Sequence, residues 1–463
     1  MRKHDNCECE RGGSFPVFGE GFSRRQFMRV AGTTLVASYF APVLSARLVH
    51  DVKSVNPSLR NTAKNCILIF LAGAPSHIDT WDLKEGAWTP ANFNPTQYGA
   101  FRFPQGLMPN TASHIDKVCI VRNGLAWAAV HSLAQTWVQI ARNPSGATGA
   151  IAPHIGAVVA LEAQINQQPT DVLPGFVSIN QAMAGSGYLP ARYAPFPVTA
   201  SQNGLAALTH PDGAARFADR WNLIQKVDAD RATDNLAKNA SDMSSFYDQA
   251  KALFDTPAIA STFAYTAPEY ARYGSTGFGG SLVVARNLVA ARRGTRFVQV
   301  SLSGWDNHSG IYSPNGGIYA PMKSFDPAFG ALLTDLAAAP GSMAGKTLLD
   351  ETLVVVIGEF GRTVGPVNAQ AGRDHFLRMS IAFAGGGVKG GRVIGATDPT
   401  GANATEFGIL GRDARPEDVT STIYSALGID YTTVRHDDPL GRGFEYVPLA
   451  KDGVYGPIEE VFG

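Results

Sequence analysis

Apolar residues in this chain come in short continuous runs rather than in strict alternation. Cys66-Ile-Leu-Ile-Phe-Leu-Ala72 and Val118-Cys-Ile-Val121 are unbroken, and Thr352-Leu-Val-Val-Val-Ile357 nearly so. Such runs predict strands buried on both faces, the mark of a parallel sheet covered by helices. Further strands are expected at 296–302 and 379–384. Between them the period lengthens to that of helices: 131–140 opens after the second strand, and 280–291 leads into the strand at 296. Pro416 and the acidic Glu417 and Asp418 mark a helix start that Gly428 closes, with Val419, Ile423 and Leu427 recurring every four residues on one face. Residues 200–255 are polar with scattered apolar positions and read as helical, so about 180–275 is taken as a mainly helical insertion or cap. The alternation of strand and helix predicts an α/β fold with a mostly parallel central sheet flanked by helices.

The N-terminal segment has a different logic. Ser23-Arg24-Arg25-Gln26-Phe27-Met28-Arg29 precedes a modest apolar stretch, Val30 to Leu44. Paired arginines before a weak apolar region are the pattern of a twin-arginine export signal, expected to span residues 1–46 with cleavage near Ser45-Ala46. Residues 47–463 then form the mature α/β domain, periplasmic or secreted, with the twin-arginine export machinery as partner and no stable membrane span after cleavage. Lys plus Arg and Asp plus Glu are equal at 39 each, so no basic field points to nucleic acid. Cys66 and Cys119, both inside apolar runs, either pair as a disulfide in an oxidising compartment or serve as small buried apolar residues. The glycine run Gly385-Gly-Gly-Val-Lys-Gly-Gly391 lacks the terminal Lys-Ser/Thr of a phosphate loop and reads as a turn.

Candidate chemistry collects just past the strands. Asp306 and His308 follow the strand at 296–302, and Glu359 and Arg362 follow the one at 352–357. Asp374 and His375 precede the strand at 379, and His77 and Asp79 lie beyond the first strand. In open α/β sheets ligands bind at the carboxyl ends of strands, so these groups are candidates for one metal site. Glu359 is read as a metal ligand or base, with a salt bridge to Arg362 as the structural alternative; otherwise Arg362 grips an anionic group. His131 and Ser132 open a helix whose free N–H groups suit an oxyanion, with Ser132 either nucleophile or N-cap.

The stretches Leu71 to Asp82, Gly187 to Phe196, Tyr273 to His308, Ile357 to His375 and Gly385 to Asp398 resemble the bacterial family carrying domain of unknown function 1501. That family is similar to the alkaline phosphatase and sulfatase superfamily, whose members bind divalent metals at strand ends and attack phosphate or sulfate esters. The resemblance implies an alkaline-phosphatase-like fold, a nucleophile in the His131-Ser132 region, and metal ligands at Asp306, His308, Glu359 and His375, with His77 and Asp79 as approximate further ligands. Gly73-Ala74 stand where the superfamily has an Asp, and Phe360 where it has a late His. The expectation is therefore one divalent metal (zinc, calcium, magnesium or manganese) and an exported hydrolase of anionic esters with catalytic Ser132, His131 and Arg362. The competing expectation is a non-catalytic exported binding or surface-assembly protein on the same fold.

Overall fold

The computed structural model describes residues 57, 59–205, 212–231, 244, 247–248 and 251–463. The expected export signal, residues 1–46, lies outside them, as does most of 232–250 within the expected insertion.

Eight strands form the central sheet: β1 (Asn65–Leu71), β2 (Val118–Leu125), β3 (Phe176–Ile179), β4 (Phe196–Val198), β5 (Phe297–Leu302), β6 (Thr352–Ile357), β7 (Arg378–Ala384) and β8 (Arg392–Ile394). Their spatial order is β8-β2-β7-β6-β1-β5-β3-β4. β1 is central and parallel to both neighbours, with Ile69 opposite Val300 on β5 and Val356 on β6. β7 alone is inverted, running antiparallel to β2 and β6. The expected class, a mostly parallel α/β sheet, is the observed one.

The continuous apolar runs follow from burial on both faces. On β1, Ile67, Ile69 and Leu71 face one core, and Cys66, Leu68 and Phe70 face the other. The first core is closed by α4 (Gly277–Ala291) and α5 (Tyr319–Ala338), through Leu282, Phe325 and Leu332 among others. The second is closed by α1 (His131–Ile140), α2 (Ile155–Ala163) and α6 (Pro416–Ala426), through Val138, Val158 and Ile423. Each fully buried aliphatic side chain contributes roughly 1.5–3 kcal/mol, so the two layers together fix the sheet edge where the polar loops gather.

Three details of the sequence reading change. Cys66 and Cys119 are both buried and free, so the disulfide alternative is not realised; burial pushes both thiols up, Cys119 to about 12. The N-cap of α1 is Val130, whose side chain makes no capping bond, so Ser132 is an exposed first-turn residue and not a cap. Within 180–275, β4 extends the sheet before α3 (Gly213–Arg231) begins, so the stretch is not purely an overlying helical piece.

Candidate metal centre

The carboxyl ends of β1, β2, β5 and β6 lie along one edge of the sheet. Because β7 is inverted, its amino end reaches that same edge. A two-residue antiparallel ladder, with His375 opposite Arg362, brings the segment before β7 back beside the loop after β6. This is how His375, which precedes a strand, joins residues that follow strands. Gly372 makes the approach feasible: a Cβ there would stand 2.0 Å from the His308 carbonyl carbon.

Four side chains converge: His131, Asp306, His308 and His375, with ligand atoms all within 4.8 Å of one another. Asp306 Oδ1 lies 3.0 Å from His308 Nε2, 3.3 Å from His131 Nε2 and 3.6 Å from His375 Nε2. His308 and His375 bring their Nε2 atoms to 2.9 Å of each other. A tetrahedral ion with bonds of about 2.0–2.2 Å would separate its donors by about 3.3–3.6 Å, close to this spacing.

Each imidazole is held from behind through Nδ1. His131 Nδ1–H donates to Glu359 Oε1 at 2.6 Å, His308 Nδ1–H to Asp374 Oδ1 at 2.8 Å, and His375 Nδ1–H to the Ala129 carbonyl at 2.8 Å. These acceptors hold Nδ1–H, so each ring turns Nε2 to the same point, where it offers a lone pair when the ring is neutral. His131 Nε2 is buried without a hydrogen-bond partner. Nε2 lone pairs and a carboxylate oxygen at such distances are drawn together by positive charge, a proton or a metal ion, and the donor set and its spacing fit a divalent metal. Asp306 and His308 are exposed, which leaves the cluster open to solvent.

The electrostatics agree. Partial burial opposes the charge on Asp306, but the Arg362 hydrogen bond and charge, with His131 and His308, bring its pKa below the ordinary carboxylate value. The Glu359 hydrogen bond raises the His131 pKa despite desolvation. The bonds from His308 and Asn368 lower the pKa of Asp374.

Several expected roles are corrected. Glu359 is fully buried and lies behind His131, where Oε1 also accepts from Gln135 Nε2 and the Gly73 N–H, each at 2.9 Å; it supports a ligand and is not one of the four converging groups. The alternative Glu359–Arg362 salt bridge is absent too, since Arg362 pairs with Asp306 at 2.6 Å. Arg362 does not offer a fork to an anion. Its five donors go to the carbonyls of Gly73, Ala74 and Arg373, to Asp306 and to His308 Nε2. His77 and Asp79 turn inward after Pro75 and leave the cluster. His77 Nε2 meets the Gly401 carbonyl at 3.0 Å, while Asp79 pairs with buried Arg373 at 2.8 Å and accepts from Ser76 and Tyr312. Conversely, His131 was expected as a catalytic group and stands among the converging donors. Its position at the start of the helix after β2 was the only sequence signal for it.

The fold and cluster define an α/β protein with a three-histidine, one-aspartate site at the carboxyl edge of a mostly parallel sheet. The family model described as a protein of unknown function, DUF1501, matches residues 63–448, and the chain belongs to that family. Comparison of the sequence with curated proteins gives no match. Among solved structures the chain is similar to the lipoteichoic acid synthase LtaP from Listeria monocytogenes, at 11% identity and TM-score 0.36, over 86% of this chain and 79% of that one. It is also similar to a putative sulfatase from Bacteroides thetaiotaomicron, at 11% identity and TM-score 0.35, over 84% and 75%. A third is the C-terminal periplasmic domain of EcEptC from Escherichia coli in complex with Zn, at 8% identity and TM-score 0.36, over 82% and 85%. Among the described residues no helix is long and apolar enough to cross a membrane.

Proposed function

We propose that this chain is an exported hydrolase of phosphate or sulfate esters that uses one divalent ion held by His131, Asp306, His308 and His375. The observation that carries the reading is the convergence of three Nε2 lone pairs and a carboxylate oxygen, each imidazole oriented from behind by its own acceptor. Three nitrogen donors favour zinc among the metals considered; calcium, magnesium and manganese suit oxygen-rich sites. When bound, such an ion acts as a Lewis acid on the ester oxygen. Asp306 stays ionised beside Arg362 and anchors the site, and Glu359 keeps the His131 ring aimed at it. Ser132, exposed in the first turn of α1, or water supplies the attacking oxygen. The free N–H groups of that turn face the charge that develops on the ester. Equal numbers of acidic and basic residues leave no basic field for nucleic acid; the ion at the cluster is what would draw an anionic small substrate, and the route out is the twin-arginine machinery.

The test is metal content by mass spectrometry together with a screen of aryl phosphates and sulfates. About one zinc per chain and metal-dependent turnover are expected, and both should be lost in Asp306→Asn/His375→Ala. Metal-free protein as exported, or full turnover in the double variant, refutes the mechanism. A second reading, metal-held binding without turnover, is favoured by the saturation of Arg362, which leaves that guanidinium no donor for the ester. Retained metal with no hydrolysis of any ester in the screen selects it.

A further inference from the structure

Beside the metal centre, at the same sheet edge, lies a cavity of about 390 Å³ between the carboxyl ends of β1, β3, β4 and β5, the first turn of α4 and one face of α1. Its volume falls in the range of small-molecule sites, about 300–1,000 Å³. Four amide side chains line it: Gln135, Gln139, Asn180 and Gln181. So do four hydroxyls, those of Thr199, Ser281, Ser301 and Ser303. Phe70, Phe278 and Met183 supply apolar surface between them, and no Asp, Glu, Lys or Arg lines the cavity among the described residues.

This composition selects a ligand class. Amides and hydroxyls both donate and accept, which suits groups that do the same, and apolar faces suit the C–H faces of a ring. An anion would find no cation there, and an apolar ligand would strand the amides. One amide is already poised. Gln139 is 1% exposed, and its Oε1 accepts from the Met183 N–H at 2.7 Å. Its Nε2 makes no hydrogen bond to the described residues, so the amide keeps a free donor on the cavity side of that contact. The rim is held in an uncommon backbone state: Asn180 and Gln181 have φ of +62° and +81°. The Gln181 carbonyl is pinned by Ser301 Oγ at 2.8 Å, and Asn180 Nδ2 donates to Ser281 Oγ at 3.0 Å. Consecutive non-glycine residues in the left-handed region cost energy and persist where the surroundings over-determine them, often at ligand sites. The cavity is physically joined to the metal centre. Gln135 bonds Glu359, which bonds His131, and Ser303 lies three residues before Asp306.

We infer that this cavity binds a neutral, hydroxyl-rich ring, a sugar residue, which forms the alcohol side of the ester whose anionic end meets the metal centre. The assignment of the anionic end rests on the hydrolase reading above; the cavity's preference for a neutral sugar stands on its lining alone.

The experiment separates the two. Methyl glycosides of glucose, galactose and N-acetylglucosamine are titrated against the full chain by saturation-transfer NMR, with and without chelator. At least one should bind with a Kd unaffected by the chelator. Gln139→Glu keeps the acceptor for Met183 N–H and removes the waiting donor. Gln181→Gly deletes the amide at a φ that glycine adopts freely. Each should raise the Kd about tenfold in protein that circular dichroism shows to be folded. Binding of none of the three glycosides, or an unchanged Kd in both folded variants, overturns the inference. Glycoside binding without ester hydrolysis would sink only the hydrolase reading, and hydrolysis of simple aryl esters without glycoside binding would sink only this one.

Discussion

Glu359→Gln probes the metal centre through a residue that does not touch it. Glu359 is fully buried, with Oε1 accepting from His131 Nδ1, Gln135 Nε2 and the Gly73 N–H, and with Oε2 unpartnered. The amide keeps the shape and one acceptor oxygen, so His131 stays in place, but the charge behind it is gone. Loss of such a supporting carboxylate weakens metal binding by about 10–100-fold, or about 1.4–2.7 kcal/mol. A second effect has the opposite appearance. The Glu359 hydrogen bond is what raises the His131 pKa, and protons compete with metal for Nε2. In the variant His131 loses its proton at lower pH, so the acid limb of metal binding shifts to lower pH while the plateau affinity falls. Competition titration with a chromophoric zinc chelator across pH 5–8.5 reads both quantities. An unchanged plateau affinity would refute the argument that Glu359 acts through His131. A loss as large as that of His131→Ala would show instead that Glu359 is itself a ligand.

Other sites test the scaffold that holds the cluster. His154 is fully buried; Nε2–H donates to Gln299 and Nδ1 accepts from the Gly156 N–H at the start of α2, and desolvation holds its pKa at about 3. The folded chain refuses a proton that the unfolded chain takes below about pH 6.5, so stability falls as pH drops below that value, by about 2 kcal/mol at pH 5; His154→Asn, which keeps a capping oxygen, should flatten that slope in urea denaturation, and an unaltered slope would rule this histidine out as its source. Gly73→Ala places a Cβ 2.8 Å from the Asp306 nitrogen at a φ of +106°, and should cost about 1–3 kcal/mol and weaken metal binding together; wild-type values for both would contradict the close packing described. Arg373→Met leaves Asp79 without its buried guanidinium and should cost about 3–5 kcal/mol by urea midpoint, whereas a cost below about 1 kcal/mol would mean the pair is solvated.

The strands of the sheet centre were legible because burial on both faces writes itself as unbroken apolar residues, and α1 was legible at its observed bounds from its helical period. β3 and β4 were not. At four and three residues, with Pro197 inside β4, they are too short for a period to declare itself. In the cluster, Asp306 and His308 were named from the strand-edge rule, which depends only on topology, and His375 from its company; the structure brings the three side chains together. What topology cannot give is the direction of a side chain. Glu359 and Arg362 sit in the expected loop, yet one turns toward α1 and the other into the carbonyls of Gly73 and Ala74. His77 and Asp79 occupy the expected place after β1 and face away, into Arg373 and Gly401. The adjacent Arg373-Asp374 pair carried the missing hint, since one charge serves the buried Asp79 and the other orients His308.

The saturation of Arg362 bears on how the site would choose its substrate. A Cβ at Gly73 would press on the Asp306 backbone, so a side chain at the position just after β1 is disfavoured. Arg362 fills the space instead, its charge fixed by backbone carbonyls and shared with the same Asp306 oxygen that faces the imidazoles. Counted formally, the carboxylates of Asp306, Glu359 and Asp374 outnumber this one guanidinium, so the region is net negative and repels an anion before any ion binds. A divalent ion at the imidazoles cancels that charge and sets a concentrated positive charge at the point an anion would approach. Attraction for an anionic ester then depends on the ion being present, and the neutral lining of the neighbouring cavity adds nothing to that field. Under the proposed function the metal would decide whether an anion approaches at all, and the amides and hydroxyls would select the group attached to it.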